Sequence, residues 1–219
     1  MNYLKLALRY IPHVVTVAIA LTFFSLNNEQ AASAPESYEG YNVFPAMVEG
    51  YLISIAILLF PAMLTLLASD RKAILKDWFA KPTCTVWNAL LLFIAMAACS
   101  FGLLAILDPA ETQQIIAMFQ VLEGYQALVI ATSICVFAPF VEEVLFRGVL
   151  MQRLPPTFAL YFSTVIFALA HGSSAFLWPL FLTGWCLGKV RQATNSLWVS
   201  ICCHGIFNAL SLFIAVYDL

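Results

Sequence analysis

Residues 127–148 read ALVIATSICVFAPFVEEVLFRG, an uncharged run from Ala127 to Phe140 with Glu142, Glu143 and Arg147 directly behind it. Crossing a bilayer takes about 20 mostly apolar residues, so the run reads as part of a transmembrane helix. Ionised groups at membrane depth cost on the order of 3 kcal/mol each and by default mark a functional site. Two later apolar runs add His171 and His204.

The rest of the chain agrees. It has 219 residues, 63% hydrophobic and 10% charged, with a mean hydropathy of +0.91. A soluble domain carries about 25% charged residues, so this composition describes a polytopic membrane protein. Apolar stretches place spans at roughly 4–26, 46–68, 86–107, 124–153, 156–172, 175–190 and 195–217. The expected fold is all-α, a single polytopic membrane domain over 1–219 with about seven transmembrane helices. Pro139 is a candidate kink in the long fourth span. Continuous runs such as Ile53 to Phe60 lack the alternation of a membrane β-barrel. A stretch from Gln114 to Leu122 has the composition of a helix lying on the outer interface. The six cysteines form no C-x-x-C pair and read as small packing residues. A net charge of −2 gives no reason to expect a nucleic-acid partner.

Orientation follows from the basic residues. With the N-terminus inside, Lys5, Arg9, Arg71, Lys72, Lys76, Lys81, Arg147, Arg153, Lys189 and Arg191 all lie on or towards the cytoplasmic side. The opposite loops carry Glu29, Glu36, Glu39, Asp108, Glu111 and Glu123 with no Lys or Arg. A multi-pass protein of the cell membrane with a cytoplasmic N-terminus is expected. Ala32-Ser33-Ala34 resembles a small-residue cleavage site, but the run before it is long for a signal peptide, which favours an uncleaved first helix. The segment from Asn27 to Tyr41 reads as a polar outer loop.

Spacing sketches the site. Glu143 and Arg147 stand four apart and share a helix face, so the arginine can neutralise that carboxylate. Glu142 lies about 100° further round and is left to face a cavity. Phe167 and His171 repeat the spacing, as do His204 and Asn208. Counting about 1.5 Å per residue from the cytoplasmic turns puts Glu142, His171, His204 and Asn208 in one slab near mid-membrane. Singly, each has a bland explanation: a buried histidine or Asn208 as interhelical glue, a Glu-Arg pair as a lock between helices. Together they suit hydrolysis. A carboxylate in a low-dielectric pocket can act as general base towards water, an imidazole can orient that water, and His204 with Asn208 can hold an oxyanion. No serine or cysteine stands in a nucleophile motif, so direct attack by water is expected. His13 has no partner motif and receives no role.

Glu142-Glu143-x-x-x-Arg147, Phe167-x-x-x-His171 and His204-x-x-x-Asn208, in that order on successive hydrophobic helices, resemble the CPBP family. These are the CAAX proteases and bacteriocin-processing enzymes, also called the Abi family, which includes the type II CAAX prenyl endopeptidases. Gly188 to Trp198, with Arg191 and Asn195-Ser196-Leu197-Trp198, looks like the family's lead-in to the last histidine. The resemblance covers about 124–217. It implies an intramembrane endopeptidase with a cavity opening to the cytoplasm or inner leaflet. Glu142 would be catalytic with His171 as partner, His204 and Asn208 would stabilise the oxyanion, and Glu143 and Arg147 would support the site. The implied partners are the bilayer and a membrane-anchored protein or peptide substrate, prenylated or not.

No cofactor is expected. Zinc is the one metal to consider, with Glu142, His171 and His204 as the ligands it would use. No H-E-x-x-H helix is present, and Asn208 is a poor zinc ligand. Two competing readings are a non-catalytic immunity or scaffold protein and a transporter. The chain shows neither the inverted repeats nor the paired broken helices of many transporters.

Overall fold

The computed structural model describes residues 10–19, 21–22, 44–68, 70–82, 87, 91–95, 119–152, 154–171 and 177–217. Most of the expected third span, the outer loop, most of the interfacial stretch at 114–122, Arg153 and the ends of the first span lie outside these residues. The described part is helical throughout, without a strand. It comprises α1 (Tyr10–Ile19), α2 (Phe44–Ala68), α3 (Arg71–Trp78), α4 (Gly124–Thr132), π1 (Ser133–Phe137), α5 (Ala138–Glu143), π2 (Val144–Leu150), α6 (Pro156–Ala170), α7 (Leu177–Thr194) and α8 (Leu197–Tyr217).

Three helical rods among the described residues are long and apolar enough to cross a membrane: Phe44–Leu67, Gly124–Leu150 and Leu197–Ile214. Their outer faces leave Leu52, Ile53, Met63, Leu128 and Phe213 exposed, as lipid-facing surfaces require. This is a helical membrane protein.

Gly124 to Leu150 is one unbroken helical run with two π-helical stretches, the first ending just before Pro139. Proline has no N–H to donate. Pro139 therefore cannot close a ring to Ile134 in the π count or to Cys135 in the α count. Asn208 of α8 fills the first gap, its Nδ2 donating to the Ile134 carbonyl at 2.9 Å. Gly205, three residues earlier, lets α8 come close enough. A Cβ there would sit 2.6 Å from the Cys135 carbonyl oxygen, and backbone cannot step aside. Overpacking of this kind costs about 1–3 kcal/mol. Gly205→Ala is therefore expected to lower the melting temperature of the purified protein in detergent, and an unchanged melt would remove this contact from the account.

The two rods that begin at Phe44 and Gly124 run parallel. Phe44 meets Tyr125 near their starts at 5.9 Å between ring centroids, while Leu58 and Ala62 pack on the region of Val144 to Leu150. Helices α6 and α7 approach through Gly184 and Gly188, a G-x-x-x-G spacing. Cβ atoms there would come within 2.9 Å of Phe167 and 2.5 Å of Leu160. Helix α7 runs to Thr194, beyond the expected end at 190, and Asn195 closes it at φ 52°.

Short α3 clamps the ends of these rods. Asp70 caps it by accepting from Lys72 N at 3.0 Å. Ile74 and Trp78 enter the core with Val144, Val149, Leu197 and Ile201. Trp78 Nε1 donates to the Gly148 carbonyl at 3.1 Å, and Asp77 pairs with Arg191 of α7 at 2.8 Å.

Candidate active site

Both glutamates close α5, between the two π stretches. Glu143 is completely buried and bonded on every side. Its Oε1 lies 2.8 Å from Arg147 Nη1 and 3.1 Å from His204 Nδ1. Its Oε2 accepts from Ser200 Oγ at 2.5 Å. Arg147 is held in turn. Its Nη2 donates to the Gly184 carbonyl at 2.8 Å, and its guanidinium lies 4.5 Å from the Phe167 ring centroid. Four elements thus converge on one ion pair: α5–π2, α6, α7 and α8.

Glu142 points elsewhere, as a step of about 100° on the helix requires. Its Oε2 faces His171 Nε2 at 3.6 Å and His204 Nε2 at 3.8 Å. Both separations exceed a direct hydrogen bond. The Glu142 side chain retains about 16% exposure and His171 about 31%, while Glu142 Oε2 itself is buried between the imidazoles.

The tautomers are set from behind. A carbonyl only accepts, so His171 Nδ1, 2.8 Å from the Phe167 carbonyl, carries its proton there. His204 Nδ1 donates to the Glu143 carboxylate. Both Nε2 atoms therefore turn towards Glu142. Phe167 packs on both imidazoles, with centroids 4.5 Å from His171 and 5.8 Å from His204. Its own ring is held edge-on by Phe146.

The structure brings Glu142, Glu143, Arg147, His171 and His204 into one cluster. Asn208 sits one turn beyond His204 and spends an amide hydrogen on Ile134, the interhelical bond that the sequence offered as its bland reading beside the oxyanion role. His204 reaches both glutamates, where spacing assigned it only to the oxyanion. Ser200 was missed altogether. The available signal was its position four residues before His204 on the same helix face. His13, which the sequence left without a role, is buried with Nε2 3.2 Å from the Gln152 carbonyl.

A cavity of about 690 Å³ lies beside the cluster, lined by Asp77, Arg147, Gln152, Arg191, Gln192 and Asn195 among others. It meets the cluster at Arg147; Glu142 and the two histidines do not line it. Among the described residues no group of three His, Cys, Asp or Glu side chains is arranged to hold a metal ion.

Comparison with known proteins bears on the same stretch. The family model described as type II CAAX prenyl endopeptidase Rce1-like matches residues 124–210. No curated protein matches the chain, and no solved structure does. The matched segment holds all three motifs, from the paired glutamates to Asn208. Residues 124–210 of this membrane protein are thus similar to the type II CAAX prenyl endopeptidase Rce1-like family, a likeness that covers less than half of the chain.

Proposed function

We propose that Glu142 activates a water molecule, without a metal, for attack on a peptide bond of a membrane-anchored protein or peptide. The observation that supports this reading is the meeting of Glu142 Oε2 with two imidazole Nε2 atoms across gaps of 3.6 and 3.8 Å. At separations longer than a direct hydrogen bond, a water held by all three polar atoms is the contact this reading calls for. With Nδ1 of His171 committed to Phe167, its Nε2 can accept from that water while Glu142 accepts the other hydrogen. The water oxygen then attacks the carbonyl carbon, and its proton passes through Glu142 to the leaving amine.

The developing oxyanion needs a donor. His204 can serve if Nε2 also carries a proton, because Nδ1–H is already given to Glu143. Asn208 has one amide hydrogen left for the same task after its bond to Ile134. Glu143 and Arg147 hold the frame and take no part in proton transfer.

The direct test compares membrane proteomes of cells making the wild-type protein and Glu142→Gln. One membrane-anchored protein should accumulate uncut in the variant. Identical proteomes, with any protective phenotype intact, would favour the immunity or scaffold reading. Cleavage of that substrate by the purified protein should survive a chelator. Activity lost to chelation and restored by zinc would replace the metal-free reading with one in which Glu142, His171 and His204 are ligands.

A further inference from the structure

Ser200 lies outside the motifs that carry the family resemblance, and its side chain is fully buried. Its hydroxyl lies 2.5 Å from Glu143 Oε2 and 3.2 Å from the Leu187 carbonyl. A hydroxyl has one hydrogen for these two acceptors. The shorter contact, to an ionised carboxylate, takes it. Arg147 and His204 both approach Oε1, so among the described residues Ser200 is the donor to Oε2. Ser200 and His204 stand four apart on α8, and one helix face therefore grips both oxygens of the same carboxylate.

We infer that Ser200 is a positioning residue: by holding Glu143 Oε2 it keeps the other carboxylate oxygen on His204 Nδ1, and so presents His204 Nε2 to Glu142. Removing the hydroxyl leaves a carboxylate oxygen without a donor in an apolar setting. A buried acceptor left unmade costs about 1–3 kcal/mol or more for a charged group. The carboxylate escapes that cost by turning towards another donor or by binding a proton. Either change withdraws the acceptor from His204 Nδ1, and the imidazole proton can move to Nε2. The catalytic consequence rests on the function proposed above, whereas the tautomer does not.

The test uses the full chain in lipid bilayers with nitrogen-15 histidine, the His204 signals being assigned by their loss in His204→Gln. Wild type and Ser200→Thr, which keeps the hydroxyl, should both show a protonated Nδ1. Ser200→Val, which matches threonine in shape without the hydroxyl, should show the proton shifted at least partly to Nε2. On the substrate found by proteomics, Ser200→Val should lower kcat about 10-fold with little change in KM, because the imidazole is no longer held towards Glu142 and a misplaced catalytic group costs up to about 10²-fold. Ser200→Thr should restore it. Ser200→Ala supplies the same comparison if valine prevents insertion. An Nδ1–H signal unchanged in Ser200→Val and Ser200→Ala overturns the inference. A tautomer that shifts while the wild-type protein cuts nothing upholds it and overturns the protease reading instead.

Discussion

Glu142→Gln should reduce cleavage about 10²–10⁴-fold, the span of a lost general base, while the protein inserts and melts as the wild type does. Glutamine keeps the shape and the oxygen but cannot take a proton from water. Glu142 makes no close bond to the rest of the frame; its neighbours are His171 and His204 at 3.6 and 3.8 Å. Stability should therefore be nearly indifferent to the change. Turnover assays on a membrane-anchored substrate, beside a detergent melt, separate these effects. Retained turnover would remove Glu142 from the mechanism, and lost stability would make it part of the frame.

Arg147→Met should be the most damaging change to the fold. It leaves Glu143 a fully buried carboxylate without its arginine, and breaking one side of a buried pair costs about 3–5 kcal/mol. The guanidinium also ties α7 to π2 through the Gly184 carbonyl and packs on Phe167. Replacing both charges with apolar residues is often close to neutral. Glu143→Leu combined with Arg147→Met should therefore melt above Arg147→Met alone, while remaining inactive because His204 has lost its acceptor. Equal melting of wild type and Arg147→Met would show that the pair contributes nothing to the bundle.

Much of this site could be read from spacing because an α-helix repeats so regularly. The bond between Glu143 and Arg147 needed only four residues of separation, and the different aim of Glu142 needed only the next position. The approach of both histidines to Glu142 was expected from depth. What escaped depended on partners remote in the chain. Nothing around Asn208 announces that Ile134 has a carbonyl to spare; that follows from Pro139 and a π turn. Likewise Ser200 is an ordinary helical serine until Glu143 is placed opposite it. Trp78, in a short segment rich in basic residues, gave no sign of its bond to Gly148. Sequence pattern reports which face a residue shares, and it is silent on which backbone atoms lack partners across the bundle.

The π stretches carry one more consequence. A π turn spends an additional residue on each closed ring, so downstream side chains arrive rotated from where plain α winding would leave them. The direction in which Glu142 looks within the bundle is thus set in part several residues upstream, by the wider winding that precedes Pro139. A carboxyl that seems a local endowment of its own position is aimed by the winding of the screw that bears it.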